Sequence, residues 1–212
     1  YHSGATDDLA AVIAHAHRTH PAQRVDLVGF SLGGNMTLKY LGEDRGRPST
    51  LGRAVTFSVP CDLAAASRKL ESRSNRILYM RRFLRSLSAK VRAKHPRFPE
   101  QLEPAGLEGV ATFRQFDDRY TAPLHGFRDA EHYWERSMSR RFLPGIRIPT
   151  LLVNAANDPF LAPACFPTEE AEASMALHLE IPRAGGHVGF PGTRHGALWS
   201  ERRAVEFLRG TE

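Results

Sequence analysis

The chain has 212 residues, 42% hydrophobic and 25% charged, with a formal net charge of +6. That composition supports one large core or two small ones and excludes a disordered tail or a peptide hormone. No window offers eighteen consecutive apolar residues, which excludes a membrane-spanning helix here, while the positive charge makes a nucleic acid or an anionic membrane a partner to be weighed.

Tyr1-His2-Ser3-Gly4 opens the chain without a methionine, so the native protein is expected to start upstream. Thr6 to Thr19 then reads as a helix, with Thr6 or Asp7 as its cap and Leu9, Val12, Ile13 and Ala16 on one face. Val25 to Phe30 is strand-like, and Gly33 to Leu41 resumes a helical pattern. Arg53 to Val59 is a second β-branched and aromatic run, closed by Pro60. The next strand is not reached until Ile148 to Ala155, where Leu151, Leu152 and Val153 are consecutive, as in a strand buried on both faces. Leu177 to Pro182 is a fourth strand, and Glu201 to Arg209 is a closing amphipathic helix.

Strands alternating with helices predict an α/β fold with a mostly parallel sheet covered on both faces. The alternation breaks once. Residues 61–147 are far longer than a connection between strand and helix needs, and they carry Ile77, Leu84, Leu87 and Val91 at helical spacing. The expected organisation is therefore a core made of 1–60 and 148–212, with 61–147 as a helical cap inserted after the second strand. The charge belongs to that insertion. Between Arg68 and Arg97 eleven basic residues face the single acid Glu71, a surplus of ten, so the remainder of the chain is mildly acidic. Cys61 and Cys165 lie far apart without a Cys-x-x-Cys spacing and are expected to be buried free thiols.

Gly29-Phe30-Ser31-Leu32-Gly33 matches G-x-S-x-G between a strand and a helix, the setting that holds a serine on a strained turn. The two flanking glycines avoid collision across that turn. The helix after it points its positive end at the hydroxyl, and the Leu32 N–H is positioned to hold an oxyanion. A serine nucleophile needs a base and an orienting carboxylate, following it in the order acid then histidine at later strand ends. Asp158 lies just past the third strand and His187 just past the fourth. Asp62, after the second strand, is the rival acid, although a helix cap explains it equally well. Of the other histidines, His15, His17 and His20 are expected on or beyond the first helix, His178 inside the last strand and His195 before the final helix, all structural or superficial. No metal-ligand spacing, glycine-rich dinucleotide turn or P-loop occurs, so neither a metal nor another cofactor is expected.

These elements together resemble the α/β-hydrolase superfamily, and within it the YheT-like branch, which is similar to the ABHD-type lipid esterases. The narrower likeness rests on Tyr1-His2-Ser3-Gly4, the stretch from Gly29 to Asn35, Phe113 to Asp118 with His125-Gly126-Phe127, Asn157-Asp158-Pro159-Phe160, and Gly185 to Phe190. The resemblance implies a hydrolase of carboxylic esters, short- or medium-chain or lipid, with Ser31, Asp158 and His187 at the family's charge-relay positions. It also implies acyltransferases among the relatives. Family members carry further strands and a second oxyanion donor ahead of the Tyr-His-Ser-Gly segment. The second donor is accordingly expected outside this chain, and the 212-residue piece alone is expected to be poorly soluble or inactive.

Two rival functions share the pattern: an acyltransferase on the same three residues, and a catalytically silent interaction protein. A small-molecule or lipid ester is the expected partner, in a cytoplasmic protein; oligomeric state is unreadable. Nucleic acid is not expected, because no reader motif accompanies the charge. The basic insertion is either a solvated arginine-rich face or a peripheral contact with anionic membrane lipid.

Overall fold

A computed structural model describes residues 2–192, 196 and 198–210. The chain falls into two compact units. One comprises residues 3–62 together with the chain from 137 onward; the other is Leu63–Arg136 with His2.

In the first unit the elements run α1 (Thr6–Thr19), β1 (Val25–Phe30), α2 (Leu32–Gly42) and β2 (Leu51–Phe57). The four strands form one parallel sheet in the order β1-β2-β3-β4, with β3 at Thr150–Val153 and β4 at Leu177–Glu180. The side-chain period of two distributes the core over both faces. Ala54 and Leu152 point to one side, where they meet Ile13, Leu38, Leu41, Leu143 and Ile146. Val55, Phe57, Leu151 and Val153 point to the other, against Phe190, Ala204 and Phe207. Burial on both faces is why β3 reads as an unbroken apolar run.

Several boundaries differ from the predicted ones, each for a local reason. β2 stops at Phe57 because Ser58 takes φ +56°, which leaves the extended region. Neither Thr6 nor Asp7 caps α1: Ala5 holds the cap position, and the Thr6 hydroxyl donates to the Glu43 carboxylate instead. The last helix starts at Trp199, two residues early, where the Glu201 carboxylate accepts from the Leu198 N–H. Residues 137–147, predicted to belong to the insertion, sit in the first unit. Asn35, fully buried in α2, draws them in by donating to the Ser137 and Ser3 carbonyls and accepting from the Ser139 N–H. Both cysteines are buried free thiols. Burial pushes the Cys61 thiol well above its ordinary range and Cys165 up to about 11, so neither is a ready thiolate.

The second unit is helical. It contains α3 (Leu63–Leu70), a π-helical turn at Arg76–Met80, α4 (Arg81–Lys94), a second π-turn at Asp117–Thr121, and most of α5 (Ala130–Ser137). The predicted apolar stripe is modified at its start: Leu84 and Val91 are buried, but Ile77 is 66% exposed. A π-turn holds one more residue than an α-turn, so the buried positions are Asn75 and Met80, five apart, and Ile77 rotates outward.

Asp117 sits inside this unit and accepts from the Thr121 hydroxyl at 2.6 Å and the Trp134 indole N–H at 2.8 Å. Desolvation outweighs those hydrogen bonds and pushes its carboxyl up to about 6. A carboxyl with a raised folded-state pKa binds its proton more tightly folded than unfolded, so its charge opposes folding above that pKa. Stability is therefore expected to fall as pH rises from about 4 to about 6, by about 3 kcal/mol in all from this group. Asp117→Asn keeps acceptor and donor for Trp134 and Thr121 and should flatten that step in urea melts followed by Trp fluorescence. An unchanged step would refute the assignment.

Candidate active site

The register of the sheet decides where the functional loops emerge. Phe30 pairs with Phe57, Phe57 with Val153, and Val153 with Glu180, so the carboxyl ends of all four strands form one row. In parallel α/β sheets this edge is where ligands bind. Ser31 follows β1 directly, whereas Asp158 and His187 stand on the loops after β3 and β4. All three belong to the first unit.

Ser31 adopts φ +52° and ψ −122°, a backbone conformation that costs a non-glycine residue about 1–3 kcal/mol and needs surrounding support. The Ser31 N–H donates to the Phe57 carbonyl at 2.8 Å, and its own carbonyl accepts from the Asn35 N–H at 3.0 Å. The steric demands on the neighbouring glycines differ from the predicted pair. A Cβ on Gly29 would lie 2.8 Å from the Gly34 Cα, and one on Gly34 would lie 2.6 Å from the Val59 side chain. A Cβ on Gly33 would meet nothing within 4 Å. The close approach therefore falls on Gly29 and Gly34. Leu32 opens α2, where a backbone N–H has no helical acceptor one turn earlier.

The three predicted residues come together. Ser31 Oγ lies 2.9 Å from His187 Nε2, and His187 Nδ1 lies 2.9 Å from Asp158 Oδ2. The Asp158 side chain is fully buried and that of His187 is 18% exposed. The other Asp158 oxygen accepts from the Phe160 N–H at 2.9 Å, which fixes the carboxylate plane. The Phe160 ring packs on the imidazole with centroids 4.3 Å apart. Thus His187 Nδ1 faces Asp158, not the rival Asp62. Of the remaining histidines, His17 bonds to the Thr50 hydroxyl and His178 packs on Phe207. His15 and His20 are exposed, and His195 lies outside the described residues.

Two asparagines not predicted from the sequence hold the loops. Asn157 Oδ1 accepts from both the Gly185 and Gly186 N–H groups, at 3.0 and 2.9 Å, tying the acid loop to the histidine loop. Asn154, fully buried, accepts from the Val59 N–H and donates to the Val59 and Cys165 carbonyls. An asparagine directly before Asp158 was the available signal for the first. Among the described residues no group of three or more His, Cys, Asp or Glu is arranged to hold a metal ion.

A parallel sheet with a serine elbow after one strand, a carboxylate after another and a histidine after the last is the plan of an α/β hydrolase. The chain belongs to the α/β hydrolase fold family, whose pattern matches residues 1–190. It is 34% identical to YheT of Escherichia coli (strain K12), a protein named as an esterase, over 98% of this chain and 62% of that protein. It is 33% identical to phospholipase ABHD3 of Mus musculus, over 87% of this chain and 45% of the relative. A monoacylglycerol lipase of Saccharomyces cerevisiae is 28% identical, over 99% of this chain and 47% of its own length. The chain thus spans between 45% and 62% of these relatives. Among solved structures, the Pyrococcus furiosus esterase Pf2001 superposes with a TM-score of 0.56 at 17% identity, covering 97% of this chain and 60% of that one. At that identity the likeness is one of fold.

Proposed function

We propose that the protein is a serine hydrolase of carboxylic esters, lipid esters among them, working through an acyl-enzyme. The observation that carries the reading is the chain of two 2.9 Å contacts from Ser31 through His187 to Asp158, at a serine held in the strained elbow conformation. Asp158 accepts from His187 Nδ1–H, which leaves the Nε2 lone pair to accept the Ser31 hydroxyl proton. As Ser31 Oγ attacks the ester carbonyl, that proton moves to Nε2, and the buried Asp158 carboxylate stabilises the imidazolium. The Leu32 N–H, at the positive end of α2, donates to the oxyanion. Collapse returns the proton from Nε2 to the departing alkoxide. Water then gives a proton to His187 and attacks the acyl carbon, and collapse of this second tetrahedral species returns that proton from Nε2 to Ser31 Oγ and frees the carboxylic acid.

Relatives named esterase, phospholipase and monoacylglycerol lipase support a lipid ester as the substrate class. No described helix is long and apolar enough to cross a membrane. A series of nitrophenyl esters of increasing acyl length, alongside a monoacylglycerol, tests the reading on the intact protein. Release of free fatty acid is the expected result. Acyl product found only on an added alcohol, with no free acid, would replace the hydrolase by an acyltransferase.

A further inference from the structure

The helical unit carries two features that ester chemistry leaves unused. The first is an open cleft of about 420 Å³ lined by Arg76, Arg81, Arg85 and Arg92, together with Glu108. Glu108 pairs with Arg92 at 2.5 Å. Among the described residues the other three guanidinium groups form no ion pair. Like charges converging on one concavity repel, and an anion with several acceptor oxygens relieves that repulsion. Guanidinium forks match phosphate oxygens in geometry as well as charge.

The second feature lies next to the first in the chain. Ile77 and Leu78, between Arg76 and Arg81, are 66% and 64% exposed. The π-turn at Arg76–Met80 turns Ile77 out of the buried stripe, and such turns cluster at functional sites. A soluble phosphate ligand gives no use for two large apolar side chains held in water directly after one of the cleft arginines in the chain. A phospholipid surface uses both, because headgroups meet the arginines while the acyl boundary takes the apolar pair. Arg73, Arg82 and Lys90 are also exposed on the same stretch and extend its positive field.

We infer that this face of the helical unit docks on an anionic phospholipid surface, with headgroup phosphates in the arginine cleft and Ile77 and Leu78 at the acyl boundary. The inference goes beyond the proposed reaction and does not depend on Ser31. Leu84 and Val91 are buried in the protein core, so the lipid-facing side is basic with an apolar tip.

Vesicle flotation of the intact protein tests it, with phosphatidylcholine alone and phosphatidylcholine mixed with phosphatidylglycerol. Binding is expected on the anionic vesicles and should weaken as salt is raised. Replacing Arg76, Arg81 and Arg85 together by Gln should weaken it roughly a hundredfold. Ile77→Ser with Leu78→Ser should weaken it roughly tenfold or more at unchanged charge. All these variants should keep the melting temperature and the turnover of a water-soluble short-chain ester. Equal binding to both vesicle types, or full binding by the arginine variant, would overturn the inference. So would saturable binding of inorganic phosphate without vesicle binding, which would assign the cleft to a free anion. Loss of ester turnover with vesicle binding intact bears on Ser31 alone.

Discussion

Replacing Ser31 by alanine is expected to lower kcat/KM for ester hydrolysis by at least roughly 10⁴-fold while leaving the fold intact. The hydroxyl is the atom that forms the acyl bond, and alanine fits wherever serine does, so the elbow keeps its hydrogen bonds to Phe57 and Asn35. What remains in the variant is the Leu32 N–H and an imidazole without a nucleophile to activate, enough for a small residual rate by attack of water. Binding of the ester should change little, so the loss falls on kcat. Activity within tenfold of the parent would mean that another nucleophile does the work.

The second large effect is expected at Asp158. In Asp158→Asn one terminal atom becomes a donor, and the Phe160 N–H already claims an acceptor. The amide oxygen is then drawn to Phe160, and the NH₂ group is turned toward His187 Nδ1. A donor facing Nδ1 forces the imidazole to carry its proton on Nε2, where it cannot accept from Ser31. Loss of kcat on the order of 10⁴ is expected, because the tautomer is wrong while the geometry is kept. The side chain is fully buried, so solvent does not soften the effect. Asp158→Glu, which restores a carboxylate, should recover part of the turnover, whereas Asp62→Asn should leave turnover unchanged, and the pair of results separates the two candidate acids. A variant Asp158→Asn that retained most of its turnover would return Asp62 to consideration.

The sheet and the three polar residues were legible because each leaves a local mark. Leu151-Leu152-Val153 advertises a strand buried on both faces, and a serine between glycines after Val25 to Phe30 advertises the elbow. Asp158 and His187 follow from strand ends and chain order. What escaped reading depends on contacts distant in sequence. Gly33 looked indispensable from the motif, whereas the close approach falls on Gly34, because Val59 comes from another strand end. The attachment of residues 137–147 to the first unit rests on Asn35, more than a hundred residues away. Ile77 fitted an apolar stripe on paper, and only the change from α to π winding removed it. Asn157 was visible as a neighbour of Asp158, but its hold on the histidine loop spans 28 residues.

The most direct measurement is covalent. A fluorophosphonate reacts with a hydroxyl only when a base removes its proton and donors hold the phosphoryl oxygen, which are the two things claimed for Ser31. Treating the intact protein with such a probe and mapping the adduct by mass spectrometry should place one phosphonyl group on Ser31, with labelling lost in Ser31→Ala and strongly slowed in Asp158→Asn. A natively folded protein that is not labelled, or is labelled at another residue, would contradict the account.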